Sequence, residues 1–277
     1  MLFRSLVGNL VRCLADGEPF LSRFEVTPPD GRIAIFNYEV DERQYRRWLR
    51  DLGISNTDSV TVLNLRGYRL PVIHSHVEDW IVKWLAERDV KVWAVDPFAR
   101  AFVGCGDENS NSDVGAFLDA LDVIKERAGV NELILPAHTG RGEFEVGKER
   151  ARGATRLDDW ADVRWLLTID DQQRRYFRAT GRDVDVPEEM LNFDPLTRHV
   201  TLGGWDRRGM KQRDLIDEIV AYVTENPGLG MNEIIEGLSK GRTKVSKALQ
   251  EAIREGRVVT REGDGRKRLH YPGGSFV

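Results

Sequence analysis

Over roughly its first 170 residues the sequence alternates apolar runs of strand length with amphipathic stretches of helix length, a pattern that builds a largely parallel sheet covered by helices. The strand candidates are Arg32–Asn37 (RIAIFN), 60–65 (VTVLNL), 91–96 (KVWAVD), 132–137 (ELILPA) and Val163–Ile169 (VRWLLTI), each rich in β-branched or aromatic residues. Between them, 41–52, 73–88 and 113–127 carry apolar residues at helical spacing. Val77, Trp80, Ile81, Trp84 and Leu85 form one stripe, which the spacing predicts to lie on the sheet. This part reads as an α/β domain.

After residue 170 the pattern changes. Residues 174–178 and 199–202 read as short strands around Pro187 and Pro195, in what the sequence presents as an extension and linker. From 211 the chain becomes compact again, with helical stretches at 214–224, 231–238 and 243–255 and two strand-like pieces around Gly263 and Gly265. Three helices and a hairpin make a small winged helix-turn-helix domain. The expected division is therefore 1–207 and 208–277, with no internal repeat.

Composition narrows the class. Of 277 residues, 41% are hydrophobic and 31% charged, which excludes collagen-like and disordered chains. A net charge of -4 means that nucleic acid could be met only by a local basic patch. Cys13 and Cys105 are too few for a disulfide framework and lie in no metal-ligand spacing, which suits a reducing cytoplasm. No run approaches the roughly 18 apolar residues of a membrane helix, and no cleavage signature follows the opening segment. A soluble, cytoplasmic, unprocessed chain with no membrane partner is the expectation.

Four segments carry candidate chemistry. The run KVWAVDPFAR ends a strand in Asp96, placing a carboxylate at the carboxyl edge of a parallel sheet, where open α/β folds bind ligands. A carboxylate there can hold Mg²⁺ through water, although an Asp before Pro is also an ordinary turn former. Glu39 follows a neighbouring strand and supplies a second carboxylate; with Asp41 and Glu42 it could equally open the next helix. His138 ends ELILPAH, either as a polar group sensing a ligand or as a histidine hydrogen-bonded near a turn. Last, GKERARGATRLDDWADVRWLL carries Lys148, Arg150, Arg152 and Arg156, as solvated charge or as a guanidinium that reaches a phosphate on a neighbouring subunit.

In order and wording these segments resemble the RepA-like branch of the RecA-fold, AAA-type ATPases, which includes hexameric replicative helicases of mobile elements. The resemblance rests on YEVDERQYRRWLRDLG, VWAVDPFARAF, GDENSNSDVGAFLDALDVIKERAG, LILPAHTGR and RARGATRLDDWADVRW, and covers about residues 6–170. It implies a RecA-like, mostly parallel sheet with helices on both faces, ATP and Mg²⁺ as cofactors, and a homo-oligomeric ring. It further implies Glu39 as the catalytic carboxylate and Asp96 as the metal-binding Walker B aspartate. His138 would be the sensor and Arg152 the finger offered in trans, with Arg150 its substitute. Asp107, Glu108 and Asn109 would lie on a loop near the nucleotide.

The departure from the family is equally specific. RecA-fold ATPases need a first strand ending in GxxxxGK[ST], whose amides and Lys cradle the phosphates. This sequence has no such motif: Gly147-Lys148 is followed by Glu149, and Leu2, Phe3, Arg4 and Ser5 stand where the resemblance would place Gly-Lys-Thr. The expectation is a sequence that begins after the P-loop, or a degenerate, non-hydrolysing relative. Without that loop a sheet edge or gap is also expected.

Between residues 240 and 270 ten Lys and Arg face four acids, a footprint suited to phosphates. In GRTKVSKALQEAIREG, Val245, Ala248, Leu249 and Ile253 form the buried stripe. Arg242, Thr243, Lys244, Ser246 and Lys247 then lie near the exposed amino end, where a recognition helix meets DNA. Arg266, Lys267 and Arg268 form a basic wing tip. The sequence thus points to DNA and ATP as partners, or to a non-catalytic DNA-binding protein whose α/β part is an assembly scaffold.

Overall fold

The computed structural model describes residues 2–138, 155–263, 265 and 267–274. The chain divides into two compact units, Met1–Gly203 and Gly204–Val277.

The first unit begins with α1 (Leu2–Asp16), β1 (Arg32–Asn37), α2 (Glu42–Asp51), β2 (Val60–Asn64), α3 (Ser75–Ala86) and β3 (Val90–Asp96). It continues with the short α4 (Phe98–Ala101), α5 (Asn111–Ala128), β4 (Glu132–Ile134) and α6 (Arg156–Trp160). Four strands form a parallel sheet in the order β2-β1-β3-β4. Local chemistry sets the element ends. Asp41 accepts hydrogen bonds from the amides of Arg43 and Gln44 at the start of α2, Ser110 caps α5, and Gly129 closes α5 in the left-handed region. Gly31, at φ +146°, opens β1 where a Cβ would stand 2.5 Å from the carbonyl oxygen of Asp89.

β1 is buried on both faces, as a central parallel strand must be. Ile33 and Ile35 pack with Val92, Ala94 and with Val7 and Val11 of α1. Ala34 and Phe36 face the other way, onto Trp93, Ile81 of α3 and Phe117 of α5. Phe36 meets both Trp84 and Trp93 edge-on with ring centroids 5.2 Å apart. Full burial of one such ring stabilises by about 1.5–3 kcal/mol.

The chain then runs through β5 (Val163–Ile169), β6 (Arg175–Gly181), β7 (Asp185–Phe193) and β8 (Val200–Leu202), an antiparallel sheet in that order. This corrects two expectations. Val163–Ile169 is not a strand of the parallel sheet, because it pairs along its whole length with β6. The stretch read as an extension and linker is a sheet with its own core of Phe177, Ala179, Leu191 and Val200, packed on Leu6, Cys13 and Phe20. Helix α1 thus serves both sheets. Asn9 fixes it there, its Nδ2 donating to the carbonyl of Arg198 at 2.9 Å and its Oδ1 accepting from Val200 N at 3.0 Å.

Two details also differ. Trp80 is 44% exposed, outside the buried stripe of Val77, Ile81 and Leu85. β4 ends at Ile134, three residues early. β3 pairs directly with β4, so the described sheet has no gap. A cavity of about 1070 Å³ instead runs between β4 and β5, lined by Leu10, Leu14, Ile134 and Trp165 among others.

The second unit contains α7 (Arg207–Glu225), the short β9 (Leu229–Gly230), α8 (Met231–Leu238), α9 (Arg242–Arg254), β10 (Val258–Glu262) and β11 (Arg268–Pro272). The strands form an antiparallel sheet in the order β10-β11-β9. Ile216, Ile219, Val223, Ile234, Val245, Leu249 and Val258 form its core. Asp206 caps α7 by accepting from Gly209 N at 2.6 Å, and the helix begins at Arg207, seven residues before the expected start.

Candidate functional site

Three polar residues end three adjacent strands of the parallel sheet in one register row: Asn64 on β2, Asn37 on β1 and Asp96 on β3. Asn37 and Asp96 are 0% and 2% exposed. Buried polar groups at strand ends require partners, and Asn37 organises most of this row. Its Nδ2 donates to Asn64 Oδ1 at 2.9 Å and to the carbonyl of Val40 at 2.8 Å. Its Oδ1 accepts from the amides of Val40 at 2.9 Å and Glu39 at 3.4 Å. The amide of Tyr38 donates to the carbonyl of Asp96 at 2.9 Å. Glu39, half-buried, is therefore fixed immediately beyond the strand row that ends in Asp96. Burial, with a smaller contribution from Cys105, raises the pKa of the Tyr38 hydroxyl beside it.

Asn37 and Asn64 were not singled out from sequence. Their signal was available: RIAIFN and VTVLN are apolar runs that both end in Asn.

His138 is exposed, four residues beyond β4. Asp107, Glu108 and Asn109 lie between α4 and α5, with Asp107 and Asn109 exposed and Glu108 half-buried. Asp107 Oδ1 accepts from the amide of Asn109 at 2.9 Å, and the amide of Asp107 donates to Asp113 Oδ2 at 3.0 Å. Arg150, Arg152 and Lys148 lie outside the described residues. Arg156 opens α6, its amide donating to Asn111 Oδ1 at 3.3 Å. Among the described residues no group of three or more His, Cys, Asp or Glu could hold a metal ion. A magnesium ion needs no such cage, because it keeps several waters and takes one or two carboxylates with substrate phosphates. Asp96, a buried carboxylate at the strand end, is a ligand of that hard, oxygen-donor kind. The motif GxxxxGK[ST] does not occur in the sequence.

In the second unit, α9 buries Val245, Ala248, Leu249 and Ala252; Ile253 is only half-buried. Arg242, Thr243, Lys244 and Lys247 are exposed and Ser246 half-buried. Lys267, just before β11, and Arg268, its first residue, are exposed, and Arg266 lies outside the described residues. The cations are not equivalent. Lys240 pairs with Glu218 at 2.5 Å, Arg257 with Asp217 at 2.7 Å, and Arg254 with Glu251. Arg242 donates to Asn232 Oδ1 at 2.6 Å. Arg261 lies over the ring of Tyr271 at 4.8 Å. Lys244, Lys247, Lys267 and Arg268 have no carboxylate within ion-pair distance among the described residues.

No helix among the described residues is long and apolar enough to cross a membrane. A family model described as an AAA domain matches residues 5–143, which is half of the chain. No curated protein matches the chain.

Proposed function

The chain belongs to the AAA domain family of RecA-fold ATPases, and on that premise we propose that it is a DNA-associated ATPase of the RepA-like helicase type. The observation that carries this reading is the row Asn64, Asn37, Asp96 at the carboxyl edge of the parallel sheet, with Glu39 fixed beside it. Asp96 binds Mg²⁺ through water, and Mg²⁺, when bound, neutralises charge on the phosphate oxygens. Glu39 orients and polarises the attacking water. His138 responds to the γ-phosphate, and the loop of Asp107, Glu108 and Asn109 borders the nucleotide. Arg152, or Arg150 nearby, reaches the phosphates of a neighbouring subunit in a homo-oligomeric ring, so that hydrolysis occurs at subunit interfaces.

The second unit is a winged helix that binds duplex DNA. Lys244 and Lys247 of α9 and Lys267 and Arg268 of the hairpin supply the phosphate contacts, while Arg242, Thr243 and Ser246 lie at the amino end of the recognition helix. A DNA-associated motor or loader of a replication system combines the two activities.

The motif GxxxxGK[ST] does not occur in the 277 residues, and without its amides and Lys the chain as it stands binds ATP weakly and turns it over poorly. That absence also supports a second reading, a non-catalytic DNA-binding protein whose α/β unit is an assembly scaffold. A mixing experiment separates the two. In a version supplied with a P-loop, subunits carrying Arg152→Ala and subunits carrying Glu39→Gln are each inactive, and mixing them restores part of the turnover at hybrid interfaces. No recovery removes Arg152 from the trans role, and no turnover in any P-loop version favours the scaffold.

A further inference from the structure

Two sheet edges border the cavity between β4 and β5, and among the described residues no strand pairs with either. β4 ends the parallel sheet and β5 ends the antiparallel one. Residues 132–137 line the cavity from the first sheet and residues 163–166 from the second. Strand geometry fixes which backbone groups face outward. The amide of Asn131 donates to the carbonyl of Lys91 at 2.8 Å, on the β3 side. Alternation then turns the N–H and C=O of Glu132 and Ile134 away from β3, to the open edge. In β5 the carbonyl of Asp162 accepts from the amide of Arg182 at 3.3 Å, and the amide of Asp170 donates to the carbonyl of Arg174 at 3.0 Å. The even-numbered residues thus bond β6, and the backbone groups of Val163 and Trp165 are left at the open edge.

The side chains around the cavity define what completes these edges. Val7 and Leu14 of α1 line it and pack in the cluster that holds Ile134, whereas Leu157 and Trp160 of α6 line it from the cluster that holds Leu133 and Leu135. A strand between the two helices must be apolar on both faces. Leu133, Ile134 and Leu135 are only half-buried, while Val92, Ala94 and Val95 of the paired strand β3 are buried. The strand must also bring two free edges. The outer strands β2 and β8 of a second copy are each bonded to a neighbour already, and the five apolar runs of strand length in the first 170 residues already form β1 to β5.

We infer that this cavity is an acceptor slot for one extended strand of a different polypeptide, about six residues long and apolar on both faces, bonded through its backbone to β4 on one edge and β5 on the other. Unpaired N–H and C=O groups on both sides of an apolar cleft select an extended peptide, because no other common ligand supplies donors and acceptors at strand spacing along two edges. The slot uses neither nucleotide nor the carboxylates Glu39 and Asp96, so it stands or falls apart from the hydrolytic reading.

The test is hydrogen exchange on the full 277-residue chain, resolved to single amides. In the chain alone the amides of Glu132, Ile134, Val163 and Trp165 should exchange fast, and those of Leu133 and Arg164, which bond β3 and β6, slowly. The peptide acetyl-Lys-Val-Val-Ile-Val-Ala-Val-Lys-amide should slow the first four roughly tenfold or more and leave the other two unchanged. N-methylating either alternate set of its amides removes the donors of one edge, keeps the side chains, and should abolish the protection. Glu132→Pro removes a donor that faces the slot and none that faces β3, and should weaken the peptide about fivefold. The methylated peptides test the parent chain whatever that variant does to folding. Protection of the four amides before peptide is added would show a slot closed by the chain itself. Absence of protection by the peptide, protection on one sheet alone, or binding indifferent to N-methylation would equally overturn the inference.

Discussion

Asn37 Nδ2 donates to Asn64 Oδ1 at 2.9 Å, joining the ends of two parallel strands through side chains rather than backbone. The same amide group holds both the N–H and the carbonyl of Val40. One buried side chain thus fixes where the chain turns after β1, and with it the position of Glu39.

Replacing Asn37 with Ala should accordingly be costly. The buried amide of Val40 loses its acceptor, a loss of about 1–3 kcal/mol. Urea unfolding of Asn37→Ala should show a lowered midpoint with an unchanged slope. Asn64→Ala, which removes one acceptor and leaves the Val40 bonds intact, should cost less. Equal losses in the two variants would show that Asn37 does not organise this turn.

The second unit offers a sharper comparison between cations. Lys244 and Lys247 are free of carboxylates among the described residues, whereas Lys240 and Arg254 are held by Glu218 and Glu251. Removing the first two should reduce the log-log salt slope of duplex binding by about 1.8, at about 0.9 per phosphate. Lys240→Ala with Arg254→Ala should change the slope far less, since those charges are already compensated. Titrations of all three chains against one duplex at several salt concentrations decide it.

The antiparallel sheet carries its own pH signature. Burial opposes ionisation of Asp170, but hydrogen bonds from Arg174 Nε at 2.7 Å, the Arg174 amide at 2.9 Å and Tyr176 Oη at 2.9 Å outweigh it, so its pKa is lowered. Tyr176, raised to about 12 by burial and by Asp170, remains a donor across the accessible range. A lowered folded-state pKa contributes stability that is present above the unfolded value near 3.9 and is lost as pH falls through the folded value. Asp170→Asn should therefore be less stable than the parent at pH 7, by about 2 kcal/mol. The difference should shrink progressively below about pH 4. A difference independent of pH would show that the charge of Asp170 is immaterial.

The parallel core was legible because β1 and β3 are continuous apolar runs, and only a strand buried on both faces reads that way. Val163–Ile169 shows the limit of the same signal: an apolar run identifies a strand but not the direction of its neighbour. β7 was missed because DVPEEMLNF carries Pro187, Glu188 and Glu189, and among its side chains only Leu191 is buried. Its register comes instead from pairing with β6 and from Arg23, whose guanidinium grips Glu189 at 2.6 and 2.8 Å from 166 positions away. No local pattern encodes such a contact. The carboxylates of the candidate site could be read from strand ends, but the Asn37 bridge that positions one of them needed the register between β1 and β2. Trp80 shared the spacing of its buried neighbours and still faces outward, because a stripe's border is set by the width of what it packs against.

In the proposed function Glu39 and Asp96 form the hydrolytic edge, and the motif GxxxxGK[ST] is missing from the 277 residues. The most direct measurement is Mg²⁺-dependent ATP turnover by the 277-residue chain beside a version carrying a strand and a GxxxxGK[ST] loop ahead of Leu6. Turnover should be at background in the first and appear in the second, and Glu39→Gln should abolish it there with nucleotide binding nearly intact. Robust turnover by the 277-residue chain itself, or turnover indifferent to Glu39→Gln, would contradict the account.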